Sequence, residues 1–179
     1  VSHRIVPLVA ALRAIPGIED ISLTTNGALL PHMAADLRKA GLDRVNISLD
    51  TLDAEQFSRI TRLGRLEQAL AGIDAALEYG FDPVKVNTVV VRRLQQDTFG
   101  LARLSVDRPV HVRFIEYMPI GNEETIGACK NEPHCPPGVS GSAPELHPEA
   151  WDASDIVPSD ELRAQISAAG EAAGIGPLL

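Results

Sequence analysis

Four short runs of aliphatic and β-branched residues alternate with stretches of helical apolar spacing, and this alternation constrains the fold more than any single residue does. The strand-like runs are Ile21–Thr25, Arg44–Asp50, Val84–Val91 and Val110–Tyr117. In the second, Val45, Ile47 and Leu49 recur with the two-residue period of one sheet face. Ile5, Leu8, Val9, Leu12 and Ile15 precede the first run with helical spacing, and Pro16-Gly17 stops them. Asn26-Gly27 closes the first strand, and a helix over Met33–Ala40 follows, with Pro31 near its first turn and Gly41 past its end. Asp53 caps a short helix, and Leu66, Ala69, Leu70, Ile73, Ala76 and Leu77 stripe a longer one that stops at Gly80. A short helix over Asp97–Leu104 precedes the fourth strand. The order αβαβαβαβ has crossovers long enough for parallel pairing, each expected to be right-handed. The class is therefore α/β with a parallel sheet. Four strands fall well short of the roughly eight of a small closed barrel, so the sheet should be a partial barrel or a doubly wound one, open at both edge strands.

The pattern stops after Gly121. Residues 1–121 carry 14 basic and 14 acidic residues, whereas residues 122–179 carry 2 basic and 10 acidic, which accounts for the whole net charge of −8. Seven of the 13 prolines also fall in that last third. The chain thus divides into a neutral folded body (1–121), an irregular insertion (122–150) expected to add little stability, and a helical segment (151–179). Trp151 is the expected point of return to the body, and Ser159 the expected cap of a helix through Ala169. No stretch reaches the roughly 20 apolar residues of a membrane span, and Pro7, Arg13 and Pro16 interrupt any leader-like run. No basic run marks a nucleic-acid face, and no glycine-rich phosphate loop follows a strand. Two cysteines exclude a disulfide-built fold. A cytoplasmic protein is expected.

In parallel α/β folds ligands meet the C-terminal ends of the strands. Those ends carry Thr24-Thr25-Asn26-Gly27, Ser48-Leu49-Asp50, Lys85-Val86-Asn87 and Arg113-Phe114-Ile115-Glu116-Tyr117-Met118. Such residues also cap helices and turns, so each position has a purely structural alternative. For Lys85 that alternative is a surface lysine on an edge strand, and for Arg113 a partner for Glu116 or for a helix end.

Taken together, these stretches, with Gly41–Asp50 and Met118-Pro119-Ile120-Gly121-Asn122, resemble the radical S-adenosylmethionine GTP 3′,8-cyclases, which begin molybdenum cofactor biosynthesis. The likeness runs from about Arg4 to Asn122 and resumes from Trp151 to about Ile166. It implies four strands of a TIM-type barrel and the conversion of GTP to a 3′,8-cyclo nucleotide. It also implies S-adenosylmethionine and [4Fe-4S] clusters as cofactors, and association as a dimer or through open sheet edges. By residue, it implies that Ser48 and Met118 contact S-adenosylmethionine and that Thr24 and Lys85 contact GTP, Lys85 at the phosphates. Arg113 could add a cation there. The family's C-x3-C-x2-C cluster loop and its second, C-terminal cysteine set have no counterpart in this sequence. Two cysteines cannot supply three thiolates, so the chain by itself is expected to be inactive. The alternative is a non-catalytic remnant that binds a nucleotide or a partner. Cys129 and Cys135, with His134 beside them, have a spacing outside the usual zinc pattern and read as free thiols.

Overall fold

The computed structural model describes residues 4–118 and 153–176. The expectations for the insertion at 122–150, for Trp151 and for the two cysteines lie outside the described residues. Four strands, β1 (Ser22–Thr25), β2 (Arg44–Ser48), β3 (Val84–Val90) and β4 (Val110–Glu116), form one sheet in the order β1-β2-β3-β4. All three pairings are parallel, as the crossover lengths require. Among the described residues, β1 and β4 each have a ladder on one side only. The helices are α1 (Ile5–Arg13), α2 (Leu30–Lys39), α3 (Ala54–Thr61), α4 (Leu66–Glu78), α5 (Thr98–Asp107) and α6 (Ser159–Ala172), with short 3-10 turns at Arg92–Leu94 and Ala153–Asp155. None among the described residues is long and apolar enough to cross a membrane.

The helices and the sheet share one apolar layer. Val45, Ile47, Val84 and Val86 on the strands are buried with Leu37 of α2, Ile73 and Ala76 of α4, and Leu101 of α5. The strict alternation of buried and half-buried residues along β3 follows from this one-sided cover. Two glycines set the spacing between layers. Gly27 turns the chain out of β1 with φ of +80°, a conformation that favours glycine. Gly72 of α4 lies so close that a Cβ there would sit 2.8 Å from the Gly27 carbonyl carbon.

Helix ends differ from the sequence reading: α5 runs to Asp107 and α6 to Ala172, each three residues beyond the expected end, and two starts differ as well. α2 starts at Leu30, three residues before the expected start, with Pro31 in its first turn, where a missing N–H costs nothing. The N-cap of α6 is Pro158 rather than Ser159. Ser159 instead gives both its N–H (2.7 Å) and its hydroxyl (2.5 Å) to Oε1 of Glu116 at the end of β4. α6 is fastened further by Arg92, whose guanidinium donates to both carboxylate oxygens of Glu161 at 2.7 Å and to the Ile156 carbonyl at 2.9 Å. Val157, Leu162 and Ile166 complete the junction on Val90. The expected cap Asp53 is in place, accepting from the Gln56 N–H at 2.6 Å, and Asp97, read as the first helical residue, caps α5 by accepting from the Gly100 N–H at 2.8 Å.

The entry into β2 is organised by Asp43. Its carboxylate accepts from the Ile21 N–H at 2.7 Å and pairs with Arg13, which also donates to the Gly41 carbonyl at 2.6 Å. The Ile21 N–H above all holds the Asp43 carboxyl below the ordinary carboxylate range; burial opposes it, and Arg13 adds to the lowering. A depressed carboxyl stabilises the fold above its unfolded value and loses that contribution as pH falls through the folded value. Asp43→Asn is therefore expected to be less stable than the parent at pH 7. The difference should shrink below about pH 4, as read by urea melts at several pH values. A gap that stays constant down to pH 2 would separate Asp43 from acid stability.

Candidate ligand-binding face of the sheet

Residues two apart on a strand share a face, and the parallel register lines them up across the sheet. One row runs Thr24–Asn46–Lys85–His111 and the next runs Ser48–Asn87–Arg113. All seven lie on the face away from the helices, and all are exposed or half-buried. Their neighbours Val45, Ile47, Val84 and Val86 point the other way, into the helix layer. A polar face that no described helix covers, on a sheet whose reverse is mainly apolar with Thr25, Thr88 and Glu116 as its polar members, is unlike an ordinary doubly wound sheet, which is apolar on both sides. It matches the inward face of an incomplete barrel.

The rows are hydrogen-bonded across strands. The Asn46 amide donates to the Thr24 hydroxyl at 3.4 Å, and Nε of Arg113 donates to Oδ1 of Asn87 at 2.9 Å. Arg113 thus has Asn87 as its partner, and the carboxylate suggested for it, Glu116, is engaged by Ser159. The two rows hold Lys85, Arg113 and His111 and no carboxylate, so the face favours an anion. At its C-terminal edge stands Asp50, half-buried, with Oδ1 accepting from the Val89 N–H at 2.9 Å. Burial pushes the Asp50 carboxyl above its ordinary value, and the Val89 N–H acts in the opposite direction.

Of the four residues singled out from the sequence, the structure brings three together. Thr24 and Lys85 flank Asn46 in one row, and Ser48 stands in the next, about 6–7 Å along the strands. Lys85 is the second residue of β3 and so lies toward the N-terminal end of its strand, contrary to the expectation that all four sit at strand C-termini. It shares the face with Ser48 all the same, and a lysine stem is long enough to bridge the rows. Met118 stands apart: it lies two residues beyond β4, is 64% exposed, and is five residues past Arg113, where the Ser48 row meets that strand. Sequence reading did not single out Asn46, Asn87 or His111. Their signal was their parity with Thr24, Ser48 and Lys85, but only the observed register shows that the strands align so that they share rows.

The profile described as the radical SAM superfamily matches residues 2–102, and the chain belongs to that superfamily. Among curated proteins it is similar to the GTP 3′,8-cyclases. It is 52% identical to that of Heliobacterium modesticaldum over 122 residues, covering 68% of this chain and 37% of the relative. It is 54% identical to that of Geobacter sulfurreducens over 120 residues, covering 66% and 37%. With the Picosynechococcus enzyme the likeness is 43% over 169 residues, covering 92% of this chain and 44% of the relative. The chain therefore spans less than half the length of the curated relatives it matches.

Membership implies S-adenosylmethionine and an iron–sulfur cluster. The hydroxyl of Ser48 and the amide of Asn87, side by side at 48↔87 in the register, fit the polar groups of the former. The chain's two cysteines do not complete the three-thiolate set of a radical cluster, so its own residues do not fit the latter.

Proposed function

We propose that this chain is the central part of a GTP 3′,8-cyclase and that the uncovered face of its sheet takes GTP and S-adenosylmethionine side by side. In this reading Thr24 accepts or donates a hydrogen bond to GTP, and Lys85 places its ammonium at the triphosphate. Ser48 and Met118 contact S-adenosylmethionine, Met118 from the chain beyond β4. S-adenosylmethionine supplies the radical chemistry in such enzymes, and the part proposed for this chain is to bind and orient the two ligands. The observation that carries the reading is the row Thr24–Asn46–Lys85 with Ser48 in the row above it. It joins a cation, two hydroxyls and an amide on the face that no helix among the described residues covers.

Calorimetric titration of the chain with GTP and with S-adenosylmethionine tests this. Saturable binding of both is expected. Lys85→Ala should weaken GTP by about ten- to a hundredfold, the range for a lost charge-assisted hydrogen bond, and leave S-adenosylmethionine nearly unchanged. A Lys85→Ala chain that binds GTP as well as the parent would remove Lys85 from the site. Binding of neither ligand by the parent chain would defeat the reading as a whole.

A further inference from the structure

The β2–β3 ladder is regular up to Leu49, whose N–H donates to the Asn87 carbonyl at 2.9 Å. Regular parallel pairing would next send the Val89 N–H to the Leu49 carbonyl. Instead the strands part. The Leu49 carbonyl accepts from the buried Thr88 hydroxyl at 2.7 Å, and the Val89 N–H turns to Oδ1 of Asp50. Gln96 answers the remaining groups. Its Nε2 donates to the Asp50 carbonyl at 2.8 Å and to the Val89 carbonyl at 2.7 Å, while its Oε1 accepts from the Val91 N–H at 2.9 Å. One side-chain amide thus satisfies three backbone groups, two of which, the Val89 carbonyl and the Val91 N–H, a continuing β2–β3 ladder would have paired. Left unmade in a half-buried setting, such groups are costly.

The parting begins immediately above the Ser48–Asn87 row, on the same pair of strands. Gln96 reaches it from the turn before α5, which is itself held by the left-handed Gln95 (φ +47°) and by the Gln56 amide on the Leu94 carbonyl at 2.6 Å. The Asn46–Lys85 row lies one step further down, inside the regular part of the ladder.

We infer that Gln96 is a positioning residue: with Thr88 and Asp50, its amide holds β2 and β3 apart at their C-terminal ends and thereby fixes where Ser48 and Asn87 present their polar groups. The inference rests on the proposed reading that Ser48 faces S-adenosylmethionine. Because the splice adjoins one row and not the other, its loss acts selectively on the ligand at Ser48.

The test is titration of the full chain and its Gln96→Met, Thr88→Val, Asp50→Asn and Asp50→Ala variants with S-adenosylmethionine and with GTP, alongside amide NMR spectra. Gln96→Met keeps the length of the side chain without its donors. It should weaken S-adenosylmethionine by about tenfold or more and GTP by less than about threefold. Thr88→Val, an isostere that removes a single bond, should show the same selectivity on a smaller scale if Gln96→Met fails to fold. Asp50→Asn retains an acceptor for Val89 and should bind like the parent, whereas Asp50→Ala should not. Equal weakening of both ligands by Gln96→Met, or by Thr88→Val in its place, overturns the inference. So does an Asp50→Asn chain as defective as Asp50→Ala, which would mean that the charge itself meets the ligand. If the parent chain binds neither ligand, the functional reading fails on its own, and the spectra still decide positioning. Shifts at the Ser48 and Asn87 amides in the Gln96 or Thr88 variant support it, and their absence overturns it.

Discussion

Ile47→Ala is expected to destabilise the protein by about 2–5 kcal/mol, the range for truncating a fully buried isoleucine. Ile47 lies on the inner strand β2, between Thr25 of β1 and Val86 of β3, and has no exposed surface. Its helix-side methyl comes within 3.2 Å of where a Cβ on Gly27 would stand. The truncation therefore opens a void where sheet, turn and α4 meet, and three elements already in contact cannot all close over it. For a protein of this size each kcal/mol lowers the melting temperature by about 2–4 °C, so thermal melting resolves the effect easily. A loss below about 1 kcal/mol would mean that α4 collapses onto the sheet and that the layer is softer than its complete burial implies.

Gly72→Ala should also destabilise, and here the sign is the test. In an isolated helix the change would stabilise by about 0.5–1 kcal/mol, because glycine loses the most backbone freedom on folding. At this site the added methyl would lie 2.8 Å from both the carbonyl carbon and the Cα of Gly27, and those are backbone atoms that cannot rotate away. Either α4 moves outward or the turn after Thr25 moves, and overpacking of this kind costs about 1–3 kcal/mol. The expected result is a lower melting temperature together with shifted amide resonances at Asn26 and Gly27. A raised melting temperature would show that helix propensity wins and that the close approach of α4 to the turn has slack.

The strands were legible because each is short, β-branched and bounded by Gly, Pro or Asn, and because spacing alone fixed parallel pairing. Boundaries were less legible. α2 begins three residues early because Leu30 is drawn into the core, a tertiary demand that helical periodicity from Met33 onward did not reveal. Ser159 looked like a cap because caps are the commonest use of serine before acidic residues. What decided otherwise was Glu116, 43 residues away in sequence. Thr24, Ser48 and Lys85 could be named from the family resemblance, but Lys85 was grouped with the strand C-termini although a strand starting at Val84 makes it the second residue. Gln96 carried no signal at all in one dimension: its partners, Asp50, Val89 and Val91, converge only once the ladder has formed and split.

The division of the sheet into a helix-covered side and an uncovered side has a consequence for how such a chain can change. Thr24, Asn46, Lys85 and Arg113 contribute nothing to the apolar layer, and exposed positions away from caps and buried networks usually alter stability by less than about 0.5 kcal/mol. Substitutions along these rows can therefore change the chemistry of the polar face without threatening the fold, while the opposite parity on the same strands is confined to residues that fill the layer. Adjacent positions in β3 thus meet different physical demands, one open to solvent on the polar face and the next filling the layer, and the two can be varied independently in a library built on this scaffold.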